Sequence, residues 1–155
     1  MCGIAGFLHF NKDRNASTTL IKEMTDVISH RGPDGEGAYV KDNIALGHRR
    51  LAIIDLSAGQ QPMYSDDRNI VIVFNGEIYN YKEVKSELIK AGHTFHSDSD
   101  TEVIIKAYQE YGILSVNKFI GMFAFALYDV KQQIVYLLRD RAGVKPLYYF
   151  QNNDS

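Results

Sequence analysis

Residues 70–74 read IVIVF, apolar at every position and mostly β-branched. Branching at Cβ stiffens the side chain and favours an extended backbone, so the segment reads as a strand. A half-buried strand alternates apolar and polar residues; a strand without that alternation needs cover on both faces. The rest of the chain must supply the cover, which points to a layered architecture.

The segments available for those layers fall into clusters. Residues 3–10 (GIAGFLHF) are short, apolar and glycine-punctuated, and read as a buried strand near the start of the chain. Leu20, Ile21, Met24, Val27 and Ile28 recur at helical spacing behind Ser17, Thr18 and Thr19, any of which could cap the helix. Gly32, Pro33 and Gly35 in HRGPDG stop it. Strand candidates follow at residues 37–40 and 44–55, then a loop containing Gly59 and Pro62, then the IVIVF strand. Asn80 with Glu83, and Ser99 with Glu102, have capping-box spacing and open two more helices, stopped near Gly92 and Gly112. Residues 122–129 and 134–139 suggest a hairpin, and residues 146–150 a last strand. Most tyrosines and phenylalanines fall in these strand segments and read as core. Strict strand–helix alternation is missing, so the expectation is α+β, with layered sheets flanked by helices rather than a parallel doubly wound sheet.

Composition narrows the function classes. The 155 residues fit one domain, 45% hydrophobic and 23% charged, with a net charge of -2. A balance so close to neutral offers no basic footprint for nucleic acid and no polybasic membrane anchor. The longest apolar stretch, residues 122–128, is far short of the roughly 18 residues a membrane span needs. The first ten residues lack the basic start and long apolar core of a signal peptide, so a cytoplasmic location is expected. The single cysteine leaves no internal disulfide and no multi-cysteine zinc site. His93 and His96 are spaced like metal ligands but have no third ligand in view, so no metal is expected. Gly35-Glu36-Gly37 lacks the third glycine of a dinucleotide loop, and no phosphate-binding GK[ST] occurs.

Four features could carry chemistry. Cys2 follows Met1 directly, and a side chain this small permits removal of Met1, leaving a thiol and a free α-amine on one residue. With reference pKa values of about 8.5 and about 7.7–8.0, the amine can take the thiol's proton near neutrality. Cys2 could equally be a small buried hydrophobe. Asn75-Gly76 after an apolar strand is a common hairpin turn. Yet Asn80 already opens a helix, so the pair is expected in a strand-to-helix connection, where the Asn amide and the Gly N–H could form an oxyanion-binding pair. Arg49 and Arg50 should point to opposite faces of a strand. One of them needs an anionic partner, either a substrate carboxylate or a structural Asp or Glu. Asp100 lies in the first turn of its helix, where the macrodipole favours a carboxylate, and it could also pair with an ammonium group.

The order of MCGIAGF, HRGPDG, HRRLAIIDL, GQQPM, FNGEIYN, SDTEVI, GMFAFALYD and RDRAGVKPLYY resembles the class II glutamine amidotransferases. The likeness is strongest to the glutaminase domain of glutamine-hydrolysing asparagine synthetases, and it covers nearly the whole chain. It implies an N-terminal-nucleophile hydrolase fold, a four-layer αββα sandwich with two mainly antiparallel sheets. Such a domain would span residues 1–150, with 151–155 as a polar tail. It implies Cys2 as nucleophile with its own amine as base, and Asn75 and Gly76 as the oxyanion hole. It implies Arg50 for the glutamine carboxylate, Asp100 for its ammonium, and Leu51, Ala52, Ile53, Ile54 and Glu77 lining the pocket. L-Glutamine would be the substrate. A synthetase domain in cis or in trans would receive the ammonia, with aspartate as the implied acceptor. No cofactor is implied for the glutaminase half; ATP and magnesium belong to the synthetase domain, whose SGGxDS motif does not occur in this sequence. Two further readings fit the residues: an N-terminal-nucleophile amidohydrolase acting on another amide, and a non-catalytic domain that docks a synthetase.

Overall fold

The computed structural model describes residues 2–51 and 59–155. The strands are β1 (Gly3–Leu8), β2 (Gly35–Lys41), β3 (Ile44–Arg50), β4 (Met63–Tyr64), β5 (Ile70–Ile78), β6 (Gly121–Asp129) and β7 (Ile134–Arg139). The helices are α1 (Thr18–Val27), α2 (Tyr81–Lys90) and α3 (Asp100–Tyr111), with 3-10 turns at Ser29–Arg31 and Gly112–Lys118. One sheet has the order β1-β3-β2 and the other β4-β5-β6-β7, and every strand pairing within them is antiparallel.

Period-two alternation on β5 explains the layering. Ile70, Ile72 and Phe74 face a cluster with Val84 and Leu88 of α2 and Val103, Ile104 and Tyr108 of α3. Val71 and Val73 face Ile44 and Leu46 of β3, with Ile4 and Leu8 of β1 packed alongside. Both faces are thus covered, as the unbroken apolar run requires. Burying each of these side chains contributes roughly 1.5–3 kcal/mol relative to exposure. Helix α1 covers the outer face of the first sheet at Gly47, where a Cβ would lie 2.5 Å from Thr25 Cγ2. The four layers run α1, first sheet, second sheet, α2 with α3, which is the αββα sandwich expected.

Several local expectations need correction. Asn75 and Gly76 lie inside β5 rather than in a connection, because β6 continues the pairing through Asn75↔Ala124, Gly76↔Phe123 and Ile78↔Gly121. Asn80 occupies the N-cap of α2 but makes no capping hydrogen bond. Its side chain instead fastens the approach to β6, Nδ2 donating to Lys118 O (2.9 Å) and Oδ1 accepting from Ile120 N (2.9 Å). Ser99 does cap α3 by accepting from Thr101 N, but Glu102 reaches past it to the N–H groups of His96 and Ser97. Residues 146–150 form no strand; Tyr148, Tyr149 and Phe150 are 90%, 79% and 84% exposed, with no strand to pair with among the described residues. Strand β1 ends at Leu8, and β3 ends at Arg50, its expected continuation over 52–55 lying outside the described residues. The start of α1 and the end of α3 are as expected, with Ser17 Oγ accepting from Leu20 N and Gly112 (φ 62°) ending α3. The hairpin of β6 and β7 is also present.

Candidate active site

The first half of the site is built at one end of the first sheet. Cys2 immediately precedes β1, whose Gly3 pairs with Arg49, so the thiol lies beside the end of β3. Leu51 N–H donates to Cys2 Sγ across 3.5 Å, and Leu51 O lies 3.9 Å from the same sulfur. The two adjacent arginines divide as strand geometry demands. Arg49 points outward to α1, where Nε donates to Thr25 O, one guanidinium nitrogen pairs with Asp26, and the other meets Glu36 at 2.7 Å. It is therefore the structural arginine. Arg50 is on the opposite face, with its guanidinium running past Gly59.

The HRGPDG segment supports this end, a role beyond the loop signal its glycines carried. Arg31 Nε donates to Cys2 O (3.3 Å), and Asp34 N donates to Arg50 O (2.9 Å). A Cβ on Gly32 would come within 2.4 Å of the Arg49 carbonyl, so only glycine lets the loop approach β3 this closely.

The second half lies on β5. Asn75 is buried, and its parity with Val71 and Val73 turns its side chain toward the first sheet. A Cβ on Gly76 would lie 2.2 Å from Met122 O and 2.6 Å from Phe123 Cα, so β6 leaves room for nothing larger. Asp100 Oδ2 accepts from Ile78 N at 3.0 Å, fixing the start of α3 to the same strand. Burial raises the Asp100 carboxyl above the ordinary carboxylate range, the N–H groups of Ile78 and Thr101 oppose that, and the negative charge of Glu77 adds to it. Glu77 is exposed and close enough to Asp100 for its charge to be felt. Of the expected pocket residues, Ala52, Ile53 and Ile54 lie outside the described residues.

His48 joins the halves. It is 1% exposed, and its ring nitrogen Nε2 lies 3.3 Å from Phe74 O. A carbonyl only accepts, so Nε2 carries the proton and donates. Burial pushes the His48 pKa down to about 4, against the pull of that hydrogen bond, and the nearby Arg50 charge depresses it further. The ring is therefore neutral at physiological pH. It sits two residues from Arg50 on β3, and its acceptor is one residue from Asn75 on β5. In the sequence His48 is distinguished only by its place in HRRLAIIDL; its burial, which removes the charge, could not be read there.

His93 and His96 pair with Glu110 and with Asp66 respectively; among the described residues no three or more His, Cys, Asp or Glu side chains are grouped to hold a metal ion. Among the described residues no helix is long and apolar enough to cross a membrane.

The family profile of the glutamine amidotransferase domain matches residues 1–155. The chain is 45% identical over 158 residues to glutamine-hydrolyzing asparagine synthetase 1 of Bacillus subtilis, covering 99% of this chain and 25% of that protein. It is 40% identical over 148 residues to glutamine-hydrolyzing asparagine synthetase 1 of Arabidopsis thaliana, covering 96% of this chain and 25% of that one. It thus spans about a quarter of the length of these curated relatives. Among solved structures it resembles the glutamine phosphoribosylpyrophosphate amidotransferase of B. subtilis with a TM-score of 0.68 and 20% identity, over 84% of this chain and 35% of that one. That likeness speaks to the fold, and it agrees with the layered antiparallel sandwich.

Proposed function

The chain belongs to the glutamine amidotransferase domain family, and from that membership we propose that it hydrolyses L-glutamine to glutamate and ammonia through a thioester at Cys2. The observation that carries the reading is the convergence of its parts. Cys2, Arg50 and Leu51 gather at one end of the first sheet, Asn75 and Gly76 lie on β5 with Asp100 bonded to that strand from the start of α3, and the His48–Phe74 hydrogen bond links the two groups.

With Met1 removed, the α-amine of Cys2 accepts the thiol proton and the thiolate attacks the side-chain amide carbon of glutamine. The developing oxyanion is met by the Asn75 amide and the Gly76 N–H. The amine returns the proton to the departing ammonia, and water then hydrolyses the thioester to glutamate. Arg50 holds the substrate carboxylate in bidentate geometry and Asp100 its ammonium. This clamp keeps the amide within the roughly 3–3.5 Å of sulfur that attack requires. Leu51, adjacent to the sulfur, and Glu77, exposed and near Asp100, line the pocket.

The relatives are named asparagine synthetases, which supports a synthetase domain, in cis or in trans, as the destination of the ammonia; aspartate as acceptor, with ATP and magnesium, is what the resemblance implies for that domain. The glutaminase step itself needs no cofactor. A cytoplasmic setting suits substrates of this kind.

The test is glutamate and ammonia release from glutamine by chain whose intact mass shows Met1 removed, beside its Cys2→Ala variant. The parent should turn over and the variant fall by at least about a thousandfold, as expected on deleting a covalent nucleophile. Equal turnover by Cys2→Ala would refute the thioester route. Equal rates on glutamine and on a simple acyl amide would favour a different amidohydrolase.

A further inference from the structure

Strand β5 outruns its neighbour β4, and the groups that replace β4 along its open edge are placed with a pattern. Residues of an antiparallel strand direct both main-chain groups alternately to one neighbour and to the other. Tyr79 N–H donates to Ile120 O (2.7 Å), so the odd-numbered residues of this stretch face β6. Ser65 and Ile70 exchange bonds on the other side, with Ser65 N donating to Ile70 O, so the even-numbered residues face β4 and the edge it leaves. Phe123, opposite Gly76, confirms the alternation by turning away from β5: its N–H goes to Asp140 Oδ2 and its carbonyl accepts from Asp140 N.

Beyond Met63 the open edge therefore presents Phe74 N–H and C=O, then the Gly76 groups, then Ile78 N–H. Phe74 N–H donates to Gln61 Oε1 (2.5 Å), Phe74 C=O accepts from His48 Nε2, and Ile78 N–H donates to Asp100. Side chains thus satisfy the edge on both sides of Gly76. The Gly76 N–H between them is directed off the edge of the sheet.

We infer that His48 is a positioning residue for the oxyanion hole: its Nε2–H, bonded to Phe74 O, fixes the peptide plane that carries Asn75 and occupies the carbonyl next to the Gly76 N–H. The inference rests on the glutaminase reading above and extends it. A carbonyl left bare at this edge would present its negative end beside the developing oxyanion and would be free to rotate. Occupied by a donor, it does neither. The neutrality of His48 matters for the same reason, because the ring supplies an N–H without adding a second cation near Arg50.

The test compares His48→Gln, His48→Asn and His48→Leu with the parent, reading kcat and KM for glutamine. The Gln side chain can bring an amide N–H to the place of Nε2–H; Asn is one methylene too short, and Leu has no donor. His48→Asn and His48→Leu should lose roughly 10- to 100-fold in kcat, somewhat less than deletion of an oxyanion donor itself, with KM within about twofold. His48→Gln should recover most of the loss. Alkylation of Cys2 by iodoacetamide, which passes through no oxyanion, should proceed at the parental rate in all of them. If His48→Leu does not fold, the Gln and Asn pair decides. Parental kcat in Asn or Leu, a rise in KM at unchanged kcat, or a folded Gln variant as slow as Leu overturns the inference alone. A parent chain that releases no ammonia from glutamine overturns the functional reading and this inference together.

Discussion

Asp100 shows how a single carboxylate can serve stability and function at odds. Its folded pKa lies above its unfolded value, chiefly because burial disfavours the charge. The folded state therefore binds the proton more tightly than the unfolded state. Ionised Asp100 subtracts stability at neutral pH, and the loss is recovered as pH falls through the folded pKa. Asparagine keeps an oxygen acceptor for Ile78 N–H and sheds the charge. Asp100→Asn should accordingly melt at or above the parental temperature at pH 7. Its KM for glutamine should rise about 10- to 100-fold, the size of a lost charge-assisted contact to the substrate ammonium. Calorimetry and steady-state kinetics check the two halves; a lower melting temperature with unchanged KM would remove Asp100 from the clamp.

Among the elements, β5 carries most of the design. One face of it meets the helices, the other meets the first sheet and carries the Asn75 side chain, and the edge beyond β4 carries the Gly76 N–H. That arrangement tolerates no side chain at Gly76, where a Cβ would lie 2.2 Å from Met122 O. Gly76→Ala must push β6 away or twist β5. We expect a cost of about 1–3 kcal/mol, the usual range for overpacking, read as a lower urea midpoint, together with loss of ammonia release as the N–H is displaced. Gly35→Ala is the control, since a Cβ there meets only Arg50 Cβ at 3.7 Å. Comparable destabilisation by both substitutions would show that the contact with β6 is not what demands glycine.

The whole molecule registers the cross-sheet histidine as acid sensitivity. His48 has a folded pKa of about 4 against an ordinary value of 6.5. Between those pH values the unfolded chain takes up a proton that the folded chain refuses. Stability from this residue is therefore fully present above about pH 6.5 and falls as pH drops toward 4, by roughly 3 kcal/mol in all. Carboxylates titrating in the same range act on parent and variant alike. The difference in urea midpoint between the parent and His48→Gln should consequently shift in favour of the variant as pH is lowered from 7 to 4. A pH-independent difference would mean that the ring protonates freely in the folded state.

What was legible in the sequence was legible because it is local or because its spacing is fixed by backbone geometry. IVIVF demanded two covered faces, Ser17 and Gly112 marked helix ends, and adjacent arginines in a strand had to part. Cys2, Arg50, Asn75, Gly76 and Asp100 stood out because each lies in a short motif, and the order of those motifs along the chain carries the resemblance. Tertiary structure decided the rest. It kept Asn75 and Gly76 inside a strand because β6 offered partners there. It turned Asn80 from a helix cap into a fastener for β6, and left residues 146–150 with no strand to pair with among the described residues. It assigned Arg49 to α1 and left His48 neutral between the sheets. Each of these depends on which groups meet across long stretches of chain, and on the water their meeting excludes. Neither is encoded in any short window of residues.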